Sequence, residues 1–320
     1  MYFSLKRTSA DFSTSTTANT TVFAPGDATI TRINLVVYPN SNRDYTIYFQ
    51  PCKEFSYYFY HVSSISQKLL DALNSGSGPV CNNLSTDIVS RQCAKLMNLQ
   101  VQGGEQIGYI GGLDRTNSNA LDLGAFDFRI TPLTYANSSR WFNDLYVVCP
   151  IDYYSPDIKT KIYSTIGDYD GKTLRTINPI CGQSDQDILN TVQGAWFFKG
   201  PSTYTEEPNI ALIHDNINPL IGVFSVGTSM KVSGLSYGTY SFNPNNNSGL
   251  VNHDFNQVTS DGNIYCYDTT QGRGQYTNLP KFSIIIQMPT STSLKVERLN
   301  SGSCGSGPWS FDSLSTDFIR

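Results

Sequence analysis

Histidine is scarce in this 320-residue chain, and its three copies mark where proton transfer or metal binding could occur. His61 follows the aromatic run Phe55-Ser56-Tyr57-Tyr58-Phe59-Tyr60, while His214-Asp215-Asn216 and His253-Asp254 each place a carboxylate beside an imidazole. Such pairs could act as acid and base, or converge on one metal ion. Neither pair has the spacing of a metal motif, and Asp and Asn in these settings more commonly bond their own backbone in turns, which is the reading favoured for both. His61 reads first as a structural residue closing an aromatic strand. Glu206 and Glu207 read as a solvated loop, because neighbours on a strand point to opposite faces.

Stacking is the other chemistry on offer. Gly194-Ala195-Trp196-Phe197-Phe198 and Gly262-Asn263-Ile264-Tyr265-Cys266-Tyr267 are aromatic strands that could present ring faces to sugars, with Asn and Asp as hydrogen-bonding neighbours. Core packing is the commoner use of such rings.

The elements that must position these groups are β-strands. Charged residues make up only 15% of the chain, against about 25% in an average soluble protein, and Tyr is abundant at 20 copies. The length favours two domains. A net charge of -4 without basic blocks excludes a nucleic-acid backbone as partner, and no run reaches the ~20 apolar residues of a membrane-spanning helix. The seven cysteines include no C-x-x-C pair. Local bridges Cys81 with Cys93, Cys149 with Cys181 and Cys266 with Cys304 are expected, with Cys52 left over as a buried thiol or an intermolecular link. Disulfides imply an oxidising, extracellular setting. No apolar run follows Met1–Arg7 as an export signal would require, so the start reads as mature, trimmed or incomplete.

Residues 1–21 read as a flexible polar arm. Strands are expected at Ala28–Ile33, Asp44–Phe49, Phe55–Tyr60, Val101–Ile110 and Leu121–Ile130, with a short helix over Ser66–Leu73. Ser155-Pro156-Asp157 predicts a helix over residues 156–166 inside a connector, 136–181. A second run of strands follows: Gly194–Phe198, Ile210–His214, Gly222–Val226, Ser229–Val232, Gly238–Phe242, Asn263–Tyr267, Phe282–Gln287 and Ser293–Arg298. Their punctuation by Gly, Pro and Asn predicts a β-sandwich or barrel over 182–320.

Four segments in order resemble the landmarks of lysostaphin-type (LytM-like) zinc endopeptidases, which cut peptidoglycan cross-bridges. They are Ala24-Pro25-Gly26-Asp27-Ala28, Phe59-Tyr60-His61-Val62-Ser63-Ser64, Gly104-Glu105-Gln106-Ile107-Gly108-Tyr109-Ile110-Gly111 and Leu123-Gly124-Ala125-Phe126-Asp127-Phe128-Arg129. The resemblance covers residues 22–130 and implies a duplicated-hybrid-motif β-barrel over 22–135. The family's zinc is held by an early His-x-x-x-Asp and by the second His of a His-x-His motif. Here no histidine precedes Ala24, the sole Asp there is Asp11, and Leu123 and Ala125 occupy the two late His positions. Only His61 remains, at a position thought to stabilise the transition state in the family.

The expected protein is therefore all-β, secreted or on a cell surface, and non-catalytic: a pseudo-peptidase scaffold without metal or cofactor. Its expected partner is a cell-wall or surface glycan, a protein, or itself, through Tyr60, His61, Asp122, Asp127, Trp196 and Tyr265. Two other classes stay open, a metallohydrolase with a zinc site relocated to His61, His214 or His253, and a structural component of an extracellular layer or filament.

Overall fold

A computed structural model describes residues 2–4, 20–84, 89–111, 120–141, 144–168, 172–199, 209–227, 235, 237–245, 249–271 and 281–320. The expected strand Ser229–Val232, the Glu206-Glu207 pair and most of the expected arm lie outside them. The fold is all-β, with two antiparallel sheets in two compact units, Met1–Pro132 with Tyr146–Lys159, and Leu133–Leu145 with Thr160–Arg320.

The first unit contains β1 (Tyr2–Ser4), β2 (Thr21–Phe23), β3 (Ala28–Val37), β4 (Arg43–Cys52), β5 (Phe55–Ile65), helix α1 (Gln67–Asn74), β6 (Val80–Asn83), β7 (Arg91–Val101), β8 (Gln106–Ile110), β9 (Ala120–Asp127) and β10 (Val147–Val148). The sheet runs β1-β9-β5-β4-β3-β7-β6, with β8 bridging β2 and β5, and β10 pairing β9. Tyr2–Ser4 thus form a strand inside the stretch expected to be an arm.

Alternation sets the inner face. Ile47 and Phe49 of β4, Tyr57 and Phe59 of β5, and Leu123 and Ala125 of β9 are all buried. Leu69 and Leu73 of α1 are buried too. The C-terminal carbonyls of α1 receive Lys95 of β7, whose Nζ donates to the carbonyls of Ala72 (2.7 Å), Leu73 (3.1 Å) and Ser75 (2.7 Å). The cation thus satisfies helix-end acceptors that have no partner within the helix.

The second unit holds a nine-stranded sheet, and the connector helix is divided evenly between the units at Lys159 and Thr160. Helix α2 (Pro156–Tyr163) begins at the expected proline but buries none of its residues. It closes at Tyr163, and Thr165 N–H and Ile166 N–H donate to the carbonyls of Ile162 and Tyr163 in a tighter turn. The strands are β11 (Gly194–Phe198), β12 (Asn209–His214), β13 (Gly222–Val226), β14 (Gly238–Phe242), β15 (Tyr265–Asp268), β16 (Thr270–Gln271), β17 (Ser283–Thr290), β18 (Ser293–Leu299) and β19 (Thr316–Ile319), ordered β15-β17-β18-β19-β11-β12-β13-β14-β16. The two outermost strands, β15 and β16, are separated in sequence by Thr269 alone. One continuous segment therefore supplies both sheet edges, and the sheet curls into a nearly closed barrel.

Cys81–Cys93 and Cys266–Cys304 form as disulfides, and Cys149 and Cys181 are disulfide-bonded as well. Cys52 is an exposed thiol rather than a buried one, because it lies at the tip of the β4–β5 hairpin, opposite Phe55.

Candidate functional site

The outer face of the first sheet carries aromatic rings as well. Along β5, Phe59 and Val62 are both buried and are separated by two residues rather than one. The pairing register shows why: Ile47 faces Phe59 but Tyr45 faces Val62, so β5 holds one extra residue. This β-bulge turns both Tyr60 and His61 to the outer face, and His61 takes a left-handed backbone, φ 66°. Such a conformation is uncommon for a non-glycine residue and costs on the order of 1–3 kcal/mol, a strain that concentrates at functional positions.

The register lays two rows across this face. In the first, Leu96 of β7 faces Arg32 of β3, Arg32 faces Tyr48 of β4, Tyr48 faces Tyr58 of β5, and Tyr58 faces Gly124 of β9. In the second, Ala94, Asn34 and Thr46 lead to the bulged Tyr60, which faces Asp122. The ring centroids of Tyr58 and Tyr60 are 4.3 Å apart, and Tyr48 lies 6.1 Å and 6.3 Å from them. All three rings are partly exposed. A Cβ on Gly124 would meet the Tyr58 ring at 2.2 Å, so Tyr58 leans across β9 into the space that a side chain at this position would occupy.

Polar groups fix the rings. The hydroxyls of Tyr48 and Tyr60 hydrogen-bond at 3.1 Å. Burial, then this bond, then the neighbouring Tyr48, Tyr58 and Asp122 push the Tyr60 phenol well above its ordinary range. His61 Nδ1 lies 2.8 Å from Asp44 Oδ2, and that oxygen also accepts from Tyr38 Oη at 3.3 Å. A carboxylate on one ring nitrogen orients the imidazole, and Tyr60 and His61 meet edge to face.

The other expected site residues lie elsewhere. Asp127 faces Phe55 on β9, five residues from Asp122 and on the opposite face. Its carboxylate accepts from Arg129 Nε and Nη2 (both 2.7 Å), Arg129 N–H (3.0 Å) and Tyr153 Oη (2.6 Å). Arg129 first, with Tyr153, holds it well below the usual carboxylate range. Trp196 is fully buried in the barrel core, donating Nε1–H to the Val192 carbonyl at 2.8 Å. Tyr265 is buried there as well, its hydroxyl 2.6 Å from Asp261 Oδ2, and burial followed by that bond pushes its pKa up to about 12. Neither ring offers a face to solvent.

The two His-Asp pairs show turn chemistry and one further contact. Asp215 Oδ1 accepts from Ile217 and Asn218 N–H, and Asp254 Oδ1 accepts from Asn256 N–H. His214 Nε2 also lies 3.2 Å from Asp254 Oδ1. Burial alone would raise the Asp254 pKa, but the bonds from His214 and Asn256 hold it below its ordinary value. Among the described residues, no group of three or more His, Cys, Asp or Glu side chains is placed to hold a metal ion.

The four landmark segments adjoin one another. Ala24 N–H donates to the Glu105 carbonyl and Gly104 N–H to the Ala24 carbonyl (both 2.9 Å), Gly103 N–H donates to Asp27 Oδ1 at 2.8 Å, and Gly111 N–H donates to the His61 carbonyl at 2.8 Å. Phe59 and Tyr57 pair with Leu123 and Ala125. No protein-family profile, curated protein or solved structure matches the chain.

Arg32, Tyr48, Tyr58 and Gly124 were not among the residues singled out from sequence. The only signal for them was the spacing of Phe59 and Val62, which assigns faces once both are known to be inward.

Proposed function

We propose that the protein is a non-catalytic secreted or cell-surface binding protein, that its first unit is a lysostaphin-type scaffold without the zinc chemistry, and that its outer tyrosine face takes a surface glycan. The carrying observation is the bulge that brings Tyr60 and His61 outward beside Tyr48 and Tyr58, giving partly exposed rings with hydroxyl, amide and carboxylate groups around them. Rings beside donors and acceptors suit sugars, whose C–H faces pack on aromatics while their hydroxyls hydrogen-bond.

The adjacency of the four landmark segments supports the scaffold. At the positions where the family presents histidines, Leu123 is 3% exposed and Ala125 is fully buried, which supports their service as core. Six disulfide-bonded cysteines suit an oxidising compartment.

The test is binding to an array of cell-wall and surface polysaccharides, with zinc measured by mass spectrometry on untagged protein. Wild type is expected to bind at least one glycan without stoichiometric zinc, and Tyr48→Ala or Tyr60→Ala to weaken binding about tenfold. Binding to no glycan, or cleavage of one by zinc-loaded protein, would refute the reading.

A further inference from the structure

At one end of the first ring row stands a cation that a neutral sugar would leave unused. Arg32 is exposed, yet it is held in place: Nε donates to Asn34 Oδ1 at 2.6 Å, and the guanidinium carbon lies 5.7 Å from the centre of the Tyr48 ring. No carboxylate among the described residues pairs with it. The anchor uses Nε and leaves both terminal nitrogens, the prongs that grip a planar anion, without a partner among the described residues. Leu96, directly opposite Arg32 in register, is 81% exposed and forms an apolar wall beside it. At the other side of the face lies Asp122, on β9. The platform is therefore polar in one direction, with guanidinium on β3, phenol rings on β4 and β5, and a carboxylate on β9.

We infer that the ligand of this face is an acidic saccharide bearing a ring carboxylate, as in a uronic-acid chain. This rests on the glycan reading above. The carboxylate meets the terminal nitrogens of Arg32 as a two-pronged pair, and the sugar ring lies against Tyr48 and Tyr58. The protein's own charge of -4 gives no general attraction for polyanions, so the preference must come from this local fork and from its fixed position over Tyr48.

The experiment is calorimetric titration with a uronic-acid oligosaccharide, its neutral methyl ester and a sulfated oligosaccharide of equal length, using wild type, Arg32→Gln and Arg32→Lys. Wild type is expected to bind the acid about tenfold more tightly than the ester. Arg32→Gln should erase that difference, so that acid and ester bind equally, and Arg32→Lys should restore only part of it, because an ammonium lacks the fork. Equal binding of acid and ester by wild type, or an acid preference that survives Arg32→Gln, would overturn the inference and leave the glycan site standing. Tighter binding of the sulfated chain would overturn the carboxylate assignment. If none of the three binds and the polysaccharide array is also blank, the glycan reading falls with it.

Discussion

Both units are rich in aromatic strands, yet they use the rings in opposite ways. In the barrel, Trp196, Phe224, Phe242, Phe255, Tyr265 and Tyr267 are all buried in the core, and Phe224, Phe242, Phe255 and Tyr267 meet mostly edge to face, as with Phe224 and Phe255 at 4.9 Å and 89°. In the first sheet, rings occupy both faces of β5: Tyr57 and Phe59 lie in the core, while Tyr58 and Tyr60 lie outside it. The rings are the same residue types on the same kind of strand, so composition does not separate an inner face from an outer one. Register does, and one extra residue in β5 moves an imidazole from the inner face to the outer one.

The comparison is broken most forcefully from the barrel side. Trp196→Ala is expected to cost about 3–5 kcal/mol, since it empties a fully buried site, whereas Tyr48→Ala on the half-exposed face should cost only about 1 kcal/mol. Denaturant midpoints of the two variants measure this. Similar losses would mean that the tyrosine face is core in energetic terms. Removing the Cys266–Cys304 bridge, which closes 38 residues around the outer cluster of Ile285 and Trp309, should cost about 3–4 kcal/mol by loop-closure entropy. Paired serine substitutions compared under oxidising and reducing conditions would check it.

A pH effect tests the scaffold role of Asp127 on β9. Asp127 is held below its ordinary pKa in the folded state by Arg129 and Tyr153. The stability it contributes is therefore fully present above the unfolded value of about 4 and is lost as pH falls through the folded one. Wild type should lose stability between pH 5 and pH 2, and Asp127→Asn should flatten that slope while glycan binding at pH 7 is retained. A variant that instead loses binding would place Asp127 in the site and not in the scaffold.

What could be read from the sequence follows the same division. The barrel strands β11 to β14 were legible because each is bounded by Gly, Pro or Asn turns; the β3–β4 hairpin has the same kind of punctuation in Pro39-Asn40-Ser41-Asn42, where Ser41 is left-handed and Asn40 Oδ1 accepts from Asn42 N–H. Strand β7 was not, because Arg91, Gln92, Lys95 and Asn98 break its pattern and Leu96 faces solvent. Its Lys95 is part of a helix cap, a tertiary role without local signature. Tyr60, His61 and Asp122 were legible as candidates, and the structure brings them together. Trp196 and Tyr265 were chosen for their ring type, a property shared by core and surface. Arg32, Tyr48 and Tyr58 needed the bulge, since in Phe55–Tyr60 aromatic residues fall on both parities and periodicity assigns no face.

Gly124→Ala sharpens the comparison with the smallest perturbation. The three atoms nearest a new methyl group all belong to the Tyr58 ring and its hydroxyl, and none belongs to backbone. The ring can therefore swing off β9 while the strand pairing of Tyr58 with Gly124 stays intact. Alanine also removes unfolded-state entropy that glycine contributes, worth about 0.4–1 kcal/mol, so the net change in stability should be under about 1 kcal/mol. Glycan affinity should nonetheless fall about as far as in Tyr58→Ala, because the platform loses its lean without losing its atoms. A Gly124→Ala protein that binds like wild type would show that the Tyr58 ring face is not part of the surface the ligand touches, and would leave Tyr48 and Tyr60 to hold the sugar alone.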